Sequence, residues 1–293
     1  MLLVTPLWAQ ETADPAQIWR QATIYRDSWG VPHVFAETPQ ALGFAFGYAQ
    51  AEDHVESMLL AYRMANGRLA AVLGEAYAES DAFSLRMGHA RLAQTAINQV
   101  DPVTHDLCEG FAAGVNSWLV DHPGRTPAWA DGVQPQDILA LWHAFIMSFA
   151  PFDTQGAYHN PPAMDSGNAW AMGPSRTVEH RATLVINPHQ HFNGPFQWYE
   201  AHLVLGDMNV YGAALRGLPV IVQGYNPVLG WALTPNKPDY ADLYVEQLTG
   251  PAATGENRPK AIGGNEALQQ QMDNLLLLEY MAQAQPYYVR TAS

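Results

Sequence analysis

The sequence has a single cysteine, Cys108, among its 293 residues. A disulfide within the chain is therefore impossible, which excludes a small secreted domain stabilised by disulfides. Basic residues are also few, because 14 lysines and arginines stand against 28 aspartates and glutamates, for a formal net charge of −14. Such an acidic surface repels phosphate, so we expect neither nucleic acid nor an anionic membrane as a partner.

Long hydrophobic runs are missing as well, and no membrane span is expected. The apolar start MLLVTPLWAQ resembles the end of a signal peptide that lacks its basic beginning. We interpret residues 1–14 as a signal-peptide remnant and leader, which predicts a periplasmic or secreted protein. An ordinary apolar N-terminus is the alternative.

Apolar residues, by contrast, are plentiful at 48%, with only 14% charged, which is enough for a large core. Residues 21–37 carry a hairpin signal around Gly30, and Thr38 and Pro39 then begin a helix that stops at Asn66-Gly67. Further helices are expected near residues 84–98, 102–120 and 135–149. The region 15–149 is therefore predicted to be mostly helical.

The residue composition and the hydrophobic periodicity of the sequence change after residue 149. Residues 150–165 are rich in Pro, Gly, Asn and Asp, which is typical of a linker. From NAWAMG onwards, short β-type runs separated by Gly, Pro or Asn predict strands within the region 166–293, the first of them buried. Helices followed by strands indicate an α+β fold.

Ser166 lies where this linker meets the first strand. An isolated Ser-Gly is usually only a turn. The functional alternative is an N-terminal nucleophile: if the backbone breaks before the serine, the freed α-amine, with a pKa near 8, can act as the base for its own hydroxyl. A bendable linker followed by a strand suits that chemistry.

Two sets of residues could hold a metal ion. His189 and His191 have strand-alternation spacing, with His202 as a third candidate ligand, although one pocket contact and one exposed imidazole explain them better, because no Glu or Cys cluster stands nearby. Asp239 and Asp242 stand three apart in an irregular segment, which is a weak calcium signal.

Several motifs, in order, resemble the penicillin acylase family of N-terminal-nucleophile (Ntn) hydrolases: GVPHVFAET, YAQAEDHVESMLLAYRMANGRLAAVLGE, NAWAMGPSRT, INPH, YEAHL, NVYGAAL and DYADLY. The resemblance implies an exported precursor that cuts itself at 165/166 into a helical α chain and a β chain. It implies a helical region packed on the start of an αββα sheet sandwich, with the C-terminal part of the β chain missing. The short helical part is most similar to acyl-homoserine lactone and lipopeptide acylases.

Carried over by position, the resemblance makes Ser166 the nucleophile and His189 the residue that orients it. Asn236 lies in the stretch that supplies an oxyanion donor, and Asp239 and Asp242 match calcium ligands, so calcium is the expected structural cofactor. Aligned without a gap on Trp170 and His189, however, the nucleophile position holds Gly167.

Either Ser166 acts from one position earlier, or this chain cannot do the chemistry. Pro235, which has no N–H, occupies the oxyanion-donor position, so Asn236 would substitute only after a loop shift.

The expected function is an amidohydrolase precursor that cleaves a hydrophobic N-acylated small molecule such as an acyl-homoserine lactone, a lipopeptide or a β-lactam. Its partners would be that substrate and its own C-terminal β-chain remainder. An inactive scaffold of the same family and a His-metal-dependent hydrolase are the alternatives. Loose candidates for lining the acyl pocket, each better explained as simple core, are Phe44, Trp142, Phe145 and Trp198.

Overall fold

The computed structural model describes residues 15–149, 164–234, 241–244 and 288–291. The helices in this part of the chain are α1 (Pro39–Ala65), α2 (Ala70–Leu73), α3 (Ala78–Met87), α4 (His89–Ala96), α5 (Pro102–Asp121) and α6 (Pro135–Met147). The strands are β1 (Ala22–Arg26), β2 (Pro32–Ala36), β3 (Met164–Met172), β4 (Thr183–Gln190), β5 (Trp198–Leu205), β6 (Met208–Leu215), β7 (Ile221–Tyr225), β8 (Gly230–Trp231), β9 (Ala241–Tyr244) and β10 (Tyr288–Thr291).

The local signals at the N-terminal hairpin and at α1 are confirmed. Gly30 turns the hairpin with a φ of 84°, a conformation that costs glycine little because it has no Cβ. The Thr38 side chain accepts a hydrogen bond from the Ala41 N–H and so caps the first turn of α1. Asn66 caps the other end, and Gly67 leaves the helix with a φ of 64°.

The prediction of one helix near residues 84–98 is wrong in one respect, because two helices occupy this stretch. Gly88 adopts the left-handed conformation, with a φ of 67°, and ends α3 just before α4 begins. Its N–H donates to the carbonyl oxygens of Ser84 and Leu85, as at other glycine-terminated helices. The helices predicted at 102–120 and 135–149 are confirmed as α5 and α6.

Helices α1 and α5 pack with their backbones in close approach. A Cβ on Gly110 or Gly114 of α5 would overlap a carbonyl oxygen of α1, and a Cβ on Gly43 or Gly47 of α1 would overlap one of α5. Because none of the four carries a Cβ, the two axes can come closer than ordinary helices do. This glycine seam thus fixes how closely α1 packs against α5.

The main sheet has six strands in the order β1-β2-β5-β6-β7-β8. Every neighbouring pair is antiparallel except β2 and β5, which run parallel with Val34 opposite Leu203. Val34 and Leu203 are buried in the same hydrophobic cluster as the α1 side chains. The sheet is therefore built from segments on both sides of residue 150, with helices on one face, and the α+β prediction is confirmed.

The strands β3 and β4 form a separate antiparallel hairpin. On one side Leu184 lies against Gly230 of β8. The expectation that β3 is a buried strand is wrong for the residues described, because its side chains are largely exposed and Trp170 retains 54% of its accessible surface. Local apolar content does not bury a strand unless another layer covers it. In the described part of the chain, no helix is long and apolar enough to span a membrane.

Candidate active site on the β3–β4 hairpin

The register of the hairpin is set at its closed end. The Thr177 hydroxyl donates to the Arg181 carbonyl and accepts from the Arg181 N–H, which closes the connection between the strands. From there Trp170 pairs with Val185 and Asn168 pairs with Asn187. Strand geometry places residues two apart on the same face, so this register decides which polar side chains meet.

At the open end the register places Ser166 opposite His189. The Ser166 Oγ lies 2.5 Å from the His189 Nδ1, a short hydrogen bond. Ser166 is the third residue of β3, since the strand begins at Met164, two residues before the expected start. A hydroxyl and an imidazole far apart in sequence are thus in direct contact.

Gly167 lies opposite Pro188, on the other face of the hairpin. A register irregularity falls between Met164 and Ser166, where the ladder passes directly from the Met164 pair to the Ser166 pair. Such a shift re-aims the side chains that follow it. The alignment position held by Gly167 therefore differs from the structural position opposite His189, which Ser166 occupies.

Two asparagines surround the other nitrogen of the His189 ring. The side-chain amide nitrogens of Asn168 and Asn187 each lie 3.2 Å from the His189 Nε2. An amide NH₂ group only donates, so the Nε2 is the acceptor in this arrangement. The ring proton of a neutral His189 then sits on Nδ1 and is donated to the Ser166 Oγ.

This proton placement limits what His189 can do for Ser166. A neutral imidazole with its proton on Nδ1 holds and orients the hydroxyl oxygen, but it cannot take the hydroxyl proton through that nitrogen. A base for Ser166 must therefore be another group. The side chains of Ser166, His189 and the two asparagines are all exposed. Within the described residues the site is therefore an open face and not a closed pocket.

The two asparagines were not identified from the sequence. The available signal was strand alternation: Asn168 follows Ser166 by two positions, and Asn187 precedes His189 by two. Using it required the register of the hairpin, which the sequence does not state.

The remaining family-derived residues lie at or beyond the end of this region. Thr234 is the last residue described before a gap, and Pro235, Asn236 and Asp239 lie outside the described residues. Asp242 lies in β9, opposite Arg290 of β10. The oxyanion donor and the calcium ligands therefore remain predictions.

The three-imidazole metal site is not assembled in this structure. His191 lies just past the end of β4, while the ring nitrogens of His202 contact His33 and Asn209. Across the described ranges there is no group of three or more His, Cys, Asp or Glu side chains that could hold a metal ion. His202 is therefore not a third ligand beside His189 and His191.

The four aromatic candidates for an acyl pocket lie in two different parts of the structure. Phe145 is buried, with Trp142 stacked on it, and Trp198 packs against the same core cluster. Phe44 instead lines a cleft of about 470 Å³ together with Trp19 and Tyr48. Phe145 is thus a core residue, and Phe44 belongs to a different feature of the helical region.

Comparison with known proteins supplies the family. Residues 21–272 match the penicillin amidase family. The chain is 30% identical to an acyl-homoserine lactone acylase PvdQ of Pseudomonas fluorescens (strain Pf0-1), over 78% of this chain and 34% of that protein. It is 27% identical to the aculeacin-A acylase of Actinoplanes utahensis, over 73% of this chain and 33% of that protein.

A solved structure of a thermostable penicillin G acylase from Alcaligenes faecalis is 28% identical, with a TM-score of 0.41, over 43% of this chain and 72% of that chain. The chain thus spans about a third of the length of the curated relatives it matches. The family match covers most of the 293 residues, including Ser166 and His189. The chain belongs to the penicillin amidase family.

Proposed function

We propose that this chain carries the nucleophile of an acylase that hydrolyses the amide bond of a hydrophobic N-acylated small molecule. The observation that supports this most directly is the 2.5 Å contact between the Ser166 Oγ and the His189 Nδ1. The relatives are named for acyl-homoserine lactone and aculeacin-A acylase activity, which favours an acyl amide as substrate.

The proposed route begins with cleavage of the peptide bond between Asp165 and Ser166. The cut gives Ser166 a free α-amine, whose ordinary pKa of about 8 leaves part of it unprotonated at neutral pH. That amine takes the Ser166 hydroxyl proton as the Oγ attacks the substrate carbonyl carbon. The base that His189 cannot provide is then supplied by the nucleophile's own residue.

Two products then leave in turn. The tetrahedral intermediate collapses, the C–N bond breaks, and the protonated α-amine returns its proton to the leaving amine. Water then attacks the acyl ester and gives a proton to the α-amine, the ester C–O bond breaks as that proton passes to the Ser166 Oγ, and the carboxylic acid leaves. We propose that His189 keeps the Oγ oriented throughout, with Asn168 and Asn187 holding its proton on Nδ1.

The motif resemblance and the hairpin register disagree about the nucleophile position, and chemistry favours Ser166. Gly167 has no side chain that could attack, and it pairs with Pro188 on the opposite face. Ser166 faces the imidazole that would orient it. We propose that the cut falls at 165/166 and that the register shift compensates for the Ser-Gly order.

Three further features belong to the same proposal. We propose export to the periplasm or beyond. A structural calcium ion would be bound by Asp239 and Asp242, since hard cations prefer carboxylate oxygens. The Asn236 N–H would serve the oxyanion hole, where one donor is worth on the order of 10²–10³ in rate.

Intact-protein mass spectrometry tests the proposal. In the parent chain we expect two fragments that meet at 165/166, and in Ser166→Ala a single uncut chain. Gly167→Ala is the matched control, because it changes the neighbouring residue without touching the hydroxyl and should still be cut. Hydrolysis of long-chain N-acyl amides, followed by release of the acid, then reports the acylase activity.

An uncut parent chain would contradict self-processing at Ser166 and favour an inactive scaffold of the family. Cutting in Ser166→Ala as well would point to a contaminating protease. Acyl-amide hydrolysis that a chelator abolishes and calcium does not restore would favour metal-dependent hydrolysis instead.

A further inference from the structure

The face of the main sheet away from α1 carries a row of aromatic and imidazole side chains. Across five neighbouring strands the paired residues are, in order, Tyr25, His33, His202, Tyr211 and Tyr225. Their sequence neighbours Val34 and Leu203 are buried on the opposite face. The backbone under the two histidines is therefore held in place by the core.

His33 and His202 sit side by side on the parallel strands β2 and β5. Their Nδ1 atoms face each other at 3.0 Å, and the two rings are nearly perpendicular, at 85°. Zinc–imidazole bonds of about 2.0–2.1 Å place two nitrogens about 2.9 Å apart at a right angle and about 3.4 Å apart at a tetrahedral angle. The observed separation falls between these values.

The outer nitrogen of His202 has a hydrogen-bond acceptor, and that of His33 has a carboxylate nearby. The His202 Nε2 lies 2.9 Å from the Asn209 Oδ1, and the His33 Nε2 lies 3.7 Å from a carboxylate oxygen of Asp27. The other Asp27 oxygen accepts the backbone N–H groups of Trp29 and Val31, which hold that carboxylate in position. The Asn209 acceptor favours a hydrogen on the His202 Nε2, which leaves the His202 Nδ1 with its lone pair.

The His33 ring can then take either tautomer: with its hydrogen on Nδ1 it donates a hydrogen bond to the His202 Nδ1, and with its hydrogen on Nε2 both Nδ1 atoms carry a free lone pair. In the second tautomer the two lone pairs repel each other, and a metal ion that lies off the line joining the two Nδ1 atoms and binds both of them removes that repulsion. Outer hydrogen bonds from the second imidazole nitrogen to a carboxylate or amide oxygen are the usual support of metal-bound histidine. His202 has such a hydrogen bond to the Asn209 amide oxygen, and at His33 the Asp27 carboxylate lies 3.7 Å from the outer nitrogen.

A second imidazole pair in the molecule lacks these properties. The Nδ1 atoms of His89 and His143 are 2.6 Å apart, shorter than two zinc–imidazole bonds at a right angle would give, at about 2.9 Å. His89 is buried, with 1% of its surface exposed, so no water could complete the coordination. Two imidazoles whose Nδ1 atoms are in contact are therefore not sufficient by themselves, and the more accessible pair on the sheet is the better site.

We propose that His33 and His202 form a binding site for a late first-row divalent cation, of which Zn²⁺ is the type. Imidazole nitrogen is a preferred ligand for zinc, nickel and copper and a poor one for calcium and magnesium. The protein supplies two ligands, and water completes the coordination. The site is separate from Ser166 and His189, and it does not depend on the acylase proposal.

Isothermal titration of the full chain with Zn²⁺ tests the site, with thermal unfolding to show that each variant folds. We expect one saturable site in the parent chain. His33→Gln and His202→Gln should each weaken it at least about tenfold, and the double variant should be little weaker than either single one, because one lost ligand already removes the chelate.

Two variants serve as controls. His105→Gln removes an exposed imidazole that lies 3.9 Å from each of two carboxylates but has no second imidazole, and His189→Gln removes the imidazole of the candidate active site. Both should bind Zn²⁺ within about twofold of the parent. Asn209→Ala keeps both ligands and should weaken binding by up to about tenfold through the lost outer hydrogen bond.

The absence of saturable Zn²⁺ binding would overturn the proposal and leave a hydrogen bond between the two rings. Binding that survives both His33→Gln and His202→Gln, or that is lost in His189→Gln, would also overturn it. With Cu²⁺ as the probe, electron paramagnetic resonance should show two equivalent nitrogen ligands in the parent and fewer in either variant.

Discussion

The glycine seam between α1 and α5 gives a stability prediction in which two opposing effects can be compared. At Gly110→Ala, intrinsic helix propensity favours alanine by about 1 kcal/mol. The new Cβ, however, would overlap the backbone carbonyl of Gln40. Backbone cannot rotate away as a flexible side chain can, so α5 must move outward along its length.

The cost of that movement should exceed the gain. Overpacking a well-packed interior costs about 1–3 kcal/mol, and here the clash involves two helices that share the cluster containing Phe46 and Phe111. We expect Gly110→Ala to lower the free energy of unfolding by about 1–2 kcal/mol after the propensity gain. For a chain of this size that is a fall in Tm of about 2–8 °C.

The assay is urea unfolding followed by circular dichroism at 222 nm, with Gly124→Ala as the matched control. A Cβ at Gly124 would meet nothing within 4 Å, so that variant should be neutral or up to about 1 kcal/mol more stable, because alanine restricts the unfolded chain. If Gly110→Ala is as stable as the parent, or more stable, then the close approach of α1 and α5 is refuted.

Three further predictions concern the site and its support. Replacing Asn168 by Asp puts acceptor oxygens beside the His189 Nε2, so the ring proton should move from Nδ1 to Nε2. Long-range ¹H–¹⁵N NMR reads this directly; an Nε2–H tautomer in the parent chain would contradict the role given to Asn168 and Asn187. Burial, and then a neighbouring imidazole, lower the pKa of His89 to about 3, so the unfolded state binds more protons at acid pH. The contribution of His89 to the free energy of unfolding should be complete above about pH 6.5 and decrease as the pH falls towards 3, with on the order of 3 kcal/mol lost by pH 4. In urea unfolding at pH 4–7, His89→Leu should flatten this pH dependence. An unchanged slope would show that His89 is not its source. Gly30→Ala should cost about 1 kcal/mol through its positive φ, although a Cβ there meets no atom within 4 Å; Gly30→Asn should cost less by thermal unfolding, and equal Tm values for all three chains would refute the strain.

Signals that act within a few residues predicted local structure well. Thr38, Pro39 and Asn66 mark the two ends of α1 in the sequence because capping depends on adjacent backbone groups. Gly88 was missed as a break because a glycine inside a helical pattern is often tolerated. Whether it takes the left-handed conformation depends on how α3 and α4 pack.

The sequence by itself determined the α+β class, the N-terminal hairpin, the long helices and the presence of Ser166 and His189, because these follow from short-range chemistry and from motifs. Tertiary structure decided which side chains meet. The β3–β4 register sets Ser166 against His189, brings two asparagines to the ring and turns Gly167 away. The parallel pairing of β2 with β5 sets His33 against His202 across 169 positions of the chain. Strand register and sheet order are long-range pairings, and a one-residue slip in either exchanges the two faces of a strand.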